Sequence, residues 1–140
     1  MMNLIKKYTI HLVFIISLVG ALMSLYFSDI LGWAPCNLCW YQRILLYPLV
    51  IICIVGIIYR DPKIYRYILP FSVLGSLVSL YHNLLFWKII PESPAVCRNG
   101  ISCIDPNLQL YSFITIPLLS FLAFIMITVL VLIYRKYENK

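Results

Sequence analysis

Four long apolar runs absorb most of this chain, and its polar residues are confined to the short stretches between them. The runs fall at roughly Tyr8–Ser28, Trp40–Tyr59, Tyr67–Trp87 and Leu110–Tyr134. A helix rises about 1.5 Å per residue, so about 20 residues cross a hydrocarbon core about 30 Å thick. Each run is near or above that length. Lipid offers no hydrogen-bond partner to bare backbone, so runs of this kind must be helical, and they lack the strict polar/apolar alternation of a membrane β-barrel. The connections are short, which favours antiparallel neighbours. The pattern therefore predicts an all-α membrane protein: one domain over residues 1–140, built as an antiparallel bundle of four transmembrane helices.

Composition strengthens this reading. Of 140 residues, 63% are apolar and only 11% charged, too little polar surface to cover a soluble domain. The first run follows Lys6 and Lys7 in the manner of a signal peptide. It is longer than the 7–15 apolar residues of a signal core, and no A-x-A site follows, so it is expected to stay as a membrane helix. Gly20 with Ser24 and Gly75 with Ser79 give the small-xxx-small spacing of close helix contacts. Pro48, inside the second run, removes the hydrogen bond to the Ile44 carbonyl and permits a kink. Trp33, Trp40, Tyr41 and Trp87 cluster at one interface, as aromatic belts do.

Charge sets the expected orientation. Lys6, Lys7, Arg60, Lys63, Arg66, Arg135, Lys136 and Lys140 lie at the two termini and in the loop between runs two and three. Arg43, Lys88 and Arg98 lie towards the other side. Basic residues stay inside, so both termini are expected in the cytoplasm. The net charge of +6 is then a topology signal, with cations too scattered over short loops to suggest nucleic-acid binding.

That topology puts four of the five cysteines, Cys36, Cys39, Cys97 and Cys103, on the outer, oxidising side, where disulfides persist. Cys36-Asn37-Leu38-Cys39 opens the second run. Residues three apart on a helix share a face, so a disulfide is within reach, and a helix N-terminus favours a thiolate. Arg43 follows Cys39 by one turn on the same face, where a cation could stabilise the thiolate or a bound electron acceptor. Cys97 and Cys103 bracket a stretch containing Asn99-Gly100, a turn signal that allows them to pair. Cys53 lies about 21 Å deeper than Cys39 at the helical rise, beyond reach of this chemistry, and reads as a small buried apolar residue. His82 shares the outer leaflet with Arg43, either as a packing histidine or as a polar contact for an acceptor. His11 reads as a surface residue.

A disulfide donated to a substrate must be regenerated, so two electrons must leave. The chain has no nucleotide-binding glycine loop, no flavin domain and no haem C-x-x-C-H, since Trp40 follows Cys39. A lipid quinone is the acceptor that fits. A metal held by all four outer cysteines is an alternative, disfavoured by an oxidising compartment. Two inert staples in a structural membrane protein is another.

Cys36-Asn37-Leu38-Cys39-Trp40-Tyr41-Gln42-Arg43 resembles the C-x-L-C-x-x-x-R signature of DsbB-type thiol:quinone oxidoreductases, and the resemblance extends over nearly the whole chain. The short length and the compact second pair are similar to the BdbC branch of Gram-positive bacteria. The vitamin K epoxide reductase-like group also pairs cysteines for a quinone, but its C-x-x-C follows the loop pair instead of preceding it. The resemblance implies a disulfide formation protein of the bacterial cell membrane. It would reoxidise a DsbA-like or BdbD-like extracytoplasmic thiol oxidase and pass the electrons to menaquinone or ubiquinone. It implies redox disulfides Cys36–Cys39 and Cys97–Cys103. Cys39 would face the quinone, with Cys36 as its exchanging neighbour. Cys97 would be attacked by the partner, Cys103 would relay to Cys36, and Arg43 together with His82 would bind the quinone. The well-known DsbB proteins have a longer second cysteine loop, so the order of exchange between Cys97 and Cys103 is left open.

Overall fold

The computed structural model describes residues 2–93 and 114–139. Cys97 and Cys103 lie outside the described residues. Helix α1 spans Met2–Leu25 and runs on into a widened π-helical turn, Tyr26–Ile30. Helices α2, α3 and α4 span Asn37–Tyr59, Tyr65–Phe86 and Ile116–Glu138. All four are long and apolar enough to cross a membrane, and no strand occurs among the described residues. The fold is an all-α, four-helix membrane bundle. Each helix packs on its neighbour in chain order, and α4 closes the ring against α1. Lys6 and Glu138 form an ion pair of 2.6 Å, tying the start of α1 to the end of α4. That end also carries the turn between α2 and α3, where Arg60 takes a left-handed φ of 51° and closes α2 onto the Gly56 carbonyl.

The helix ends follow local chemistry. The fourth apolar run starts at Leu110 in the sequence, but α4 begins at Ile116. Thr115 is extended there and its hydroxyl accepts the Leu118 N–H at 3.3 Å. Pro117 sits in the first turn, where no N–H is needed. Pro48 lies inside α2 as expected, and Pro70 lies inside α3, both helices running through unbroken.

The bundle is apolar on its outer surface and sets buried polar side chains among an apolar core. Leu12, Ile15, Val19, Ile51, Leu77 and Val129 face outward. Ser17, Ser72, Ser76, Ser79, Asn83 and Gln42 are buried. In hydrocarbon such groups must find internal partners. Ser76 and Ser79 therefore donate to carbonyls a turn back in α3, at 2.8 Å each. Asn83 Nδ2 reaches across to the Pro117 carbonyl of α4 at 2.9 Å. The glycines allow close approach: a Cβ on Gly75 would strike the Phe124 ring of α4, and one on Gly20 would lie 3.2 Å from Leu46 of α2.

Candidate redox site

Cys36 is the N-cap of α2. Its extended backbone, φ −68° and ψ 167°, turns the sulfur back over the first turn, where it accepts the Cys39 N–H at 3.3 Å. The helix N-terminus thus directs a donor and its positive end at this sulfur. The Cys39 Sγ lies 2.8 Å away. Cys36 stands just outside the membrane span, and its thiol is held well below the usual range. The hydrogen bond from Cys39 is the main cause. Burial opposes it, and contacts from His82 and the Cys39 backbone add to it.

The two sulfurs face different surroundings. Cys36 is 2% exposed, packed with Leu38 and Leu85. Cys39 is half-buried and lines a cavity of about 430 Å³ between α1, α2 and α4. Ile15, Val19, Met23, Leu119 and Met126, all outward-facing, form its rim, so it opens on the lipid side between α1 and α4. Gln42, Arg43 and Ser120 supply its polar groups near Cys39.

Arg43 does not reach for the headgroups. It is only 9% exposed, its terminal nitrogen donates to the Ser24 carbonyl of α1 at 2.8 Å, and its guanidinium lies 5.5 Å from the Trp40 ring centroid. Its Nε is buried without a hydrogen-bond partner among the described residues. A fixed cation in a dry wall, with one donor unpaired, is a site for an oxygen acceptor.

His82 is fully buried and meets Cys36, with Nε2 3.7 Å from Sγ, and it is not part of the cavity wall. Gln42 Nε2 donates to its Nδ1 at 3.1 Å, and Ser120 Oγ donates to Gln42 Oε1 at 2.6 Å. Reading the sequence missed Gln42 and Ser120. A glutamine inside a membrane helix is itself a pointer, because its amide must be satisfied there. A lone serine carries no such signal. Cys53 is fully buried in the apolar core, as a small core residue would be. His11 Nδ1 meets the Lys7 carbonyl at 2.6 Å on the exposed side of α1.

Cys36, Cys39 and His82 also group their ligand atoms within 4.8 Å. Two thiolates on one tetrahedral zinc, with Zn–S about 2.3 Å, stand about 3.8 Å apart. The sulfurs here are closer, at 2.8 Å, the spacing of a pair poised on each other.

Residues 6–134 match the family model of the disulfide bond formation protein DsbB. The chain belongs to the DsbB family. It is 39% identical over 139 residues to a probable disulfide formation protein C 2 of Bacillus cereus, with 99% of each chain covered. It is 35% identical over 128 residues to the disulfide bond formation protein C of Bacillus subtilis, covering 90% of this chain and 91% of that one. A probable disulfide formation protein of Chlamydia pneumoniae is 38% identical over 139 residues, covering 99% of this chain and all of that one. No solved structure matches. These family members are oxidoreductases of disulfide formation, and the C-x-x-C pair at the head of α2 is the feature here suited to that chemistry.

Proposed function

We propose that this protein is a membrane thiol:quinone oxidoreductase of the bacterial cell membrane. It reoxidises an extracytoplasmic thioredoxin-like dithiol oxidase and passes the electrons to a lipid quinone. The observation that carries this reading is Cys39 at the head of a lipid-open cavity, with the unpaired Nε of Arg43 in the same wall.

The residues present fit a quinone. Arg43 would hold a ring oxygen, and the apolar rim would hold an isoprenoid tail. Bound there, a quinone supplies an acceptor for two electrons and two protons. The chain's own residues do the rest. Cys97 and Cys103 form the outer pair, one of them attacked by the partner's thiolate and the other relaying to Cys36. When the Cys36 thiolate and the Cys39 thiol return to a disulfide, they release two electrons and the one proton of Cys39, and the second proton the acceptor needs comes from solvent. Cys39 is the sulfur facing the acceptor, and Cys36 is the nucleophile that closes the pair. Eight cations at the termini and the α2–α3 turn against three elsewhere support cytoplasmic termini and an outward-facing site.

The test mixes purified protein in lipid nanodiscs, under anaerobic conditions, with a reduced thioredoxin-like oxidase and menaquinone or ubiquinone. Quinone absorbance should fall one for one with oxidation of the partner, and Cys39→Ser should abolish it. Quinone reduction that persists in Cys39→Ser, or partner oxidation without quinone consumption, would overturn the reading.

A further inference from the structure

We propose that Gln42 and Ser120 are positioning residues that lock His82 with its proton on Nε2, so that the Cys36 sulfur always faces an N–H donor supplied by α3. This rests on Cys36 and Cys39 being the redox pair.

Three contacts form one directed chain through the bundle core. Ser120 of α4 donates to Gln42 Oε1 at 2.6 Å. In this arrangement the amide oxygen of Gln42 faces α4 and its nitrogen faces α3. The amide nitrogen is then turned to His82 Nδ1, at 3.1 Å. An amide nitrogen only donates, so Nδ1 must accept and carries no proton. A neutral ring thus keeps its single hydrogen on Nε2, the atom 3.7 Å from Cys36 Sγ. With the amide oxygen held by Ser120, the other tautomer would set N–H against N–H in a dry interior, leaving two donors unsatisfied. His82 is fully buried, Gln42 is buried and Cys36 is buried, so water does not compete for these atoms.

The consequence is redox chemistry. A Cys36 thiolate receives the Cys39 backbone N–H from its own helix and the Nε2–H from α3. A hydrogen bond to the charged form favours it over the thiol. Reduction of the pair by an external dithiol then proceeds as Cys36–Cys39 disulfide plus two electrons and one proton, giving Cys36 thiolate and Cys39 thiol. The dithiol's two sulfurs become a disulfide and its second proton goes to solvent. Stabilising the reduced form makes a pair more oxidising. The charged and titratable groups nearby are Cys39 and, one turn deeper, Arg43 on α2, with His82 and Tyr81 on α3. Among the described residues, none of the groups acting on Cys36 comes from α1 or α4.

The test uses the full chain in detergent, reduced, with thiolate absorbance near 240 nm read against pH and Cys36→Ser as the blank. Redox equilibrium with a glutathione buffer is measured on the same samples. In wild type the Cys36 signal should appear at lower pH than in an ordinary thiol. Gln42→Leu and Ser120→Ala should each move it to higher pH and make the pair about 10-fold less oxidising in its equilibrium constant. Ser120→Thr, which keeps the hydroxyl, should restore both readings. A purely structural role would change thermal stability while leaving titration and equilibrium where they were. That outcome in Ser120→Ala, the mildest variant, would overturn the proposal. No Cys36-dependent signal in wild type would instead overturn the assignment of Cys36 itself.

Discussion

Arg43 shows how a single side chain is committed by its surroundings. A charged group in a membrane helix costs about 2.5–3.5 kcal/mol at the centre, less near the interface, and an arginine this close to the headgroups has a cheap escape by snorkelling. Here it is instead held by the Ser24 carbonyl and Trp40, with Nε left over. On the proposed function, Arg43→Ala should raise the apparent quinone KM and slow quinone reduction by up to ~10²-fold, as loss of one oxyanion donor does. Arg43→Lys keeps the charge without the planar fork and should fall between. Trapping of the mixed disulfide with the partner should survive both, and kinetics and trapping on the same samples would check this. Loss of trapping with an unchanged KM would remove the acceptor from this cavity. The relation between Cys39 and Arg43 was legible in the sequence, because residues four apart on a helix must share a face. The destination of His82 was not. Whether it points at a cavity or at Cys36 depends on the rotation of α3 against α2, which no single-helix period contains. Ser72, Ser76, Ser79 and Asn83 recur every three or four residues and mark the inner face of α3, so the stripe could have placed His82 inward.

Between elements, the bundle is held at a few close approaches. The four spans were legible as apolar runs because their length and lack of charge leave no other structure in lipid. Their ends were less so: the start of α4 is decided by Thr115 and Pro117 inside a run that looks uniformly apolar. Small-xxx-small spacing marked Gly20 and Gly75 equally, yet their neighbours differ. A Cβ at Gly75 would collide with the side of the Phe124 ring, a flat, fully buried group with nowhere to go. At Gly20 it would meet only the flexible end of Leu46 at 3.2 Å. Gly75→Ala should therefore destabilise the bundle by about 1–3 kcal/mol, the range for overpacking, and Gly20→Ala by less. Thermal unfolding of the two variants in the same detergent would rank them, and the reverse order would mean that α3 and α4 part more readily than the packing implies.

For the whole molecule, orientation decides whether the chemistry is possible at all. Disulfides persist only on the oxidising side. A periplasm- or exterior-active reporter should be active when fused after Pro94 and silent when fused after Lys63 or at the C-terminus. The opposite pattern would place Cys36 and Cys39 in a reducing compartment. On the proposed function, the cavity mouth between α1 and α4 adds a property of its own. A cavity entered sideways draws on a solution two molecules thick, in which what counts is the number of acceptor molecules per lipid. Expanding the membrane around a fixed pool of acceptor would slow the enzyme, while changing the volume of water outside would leave it untouched. The protein would then couple the folding of exported chains to the crowding of carriers in the plane of the bilayer.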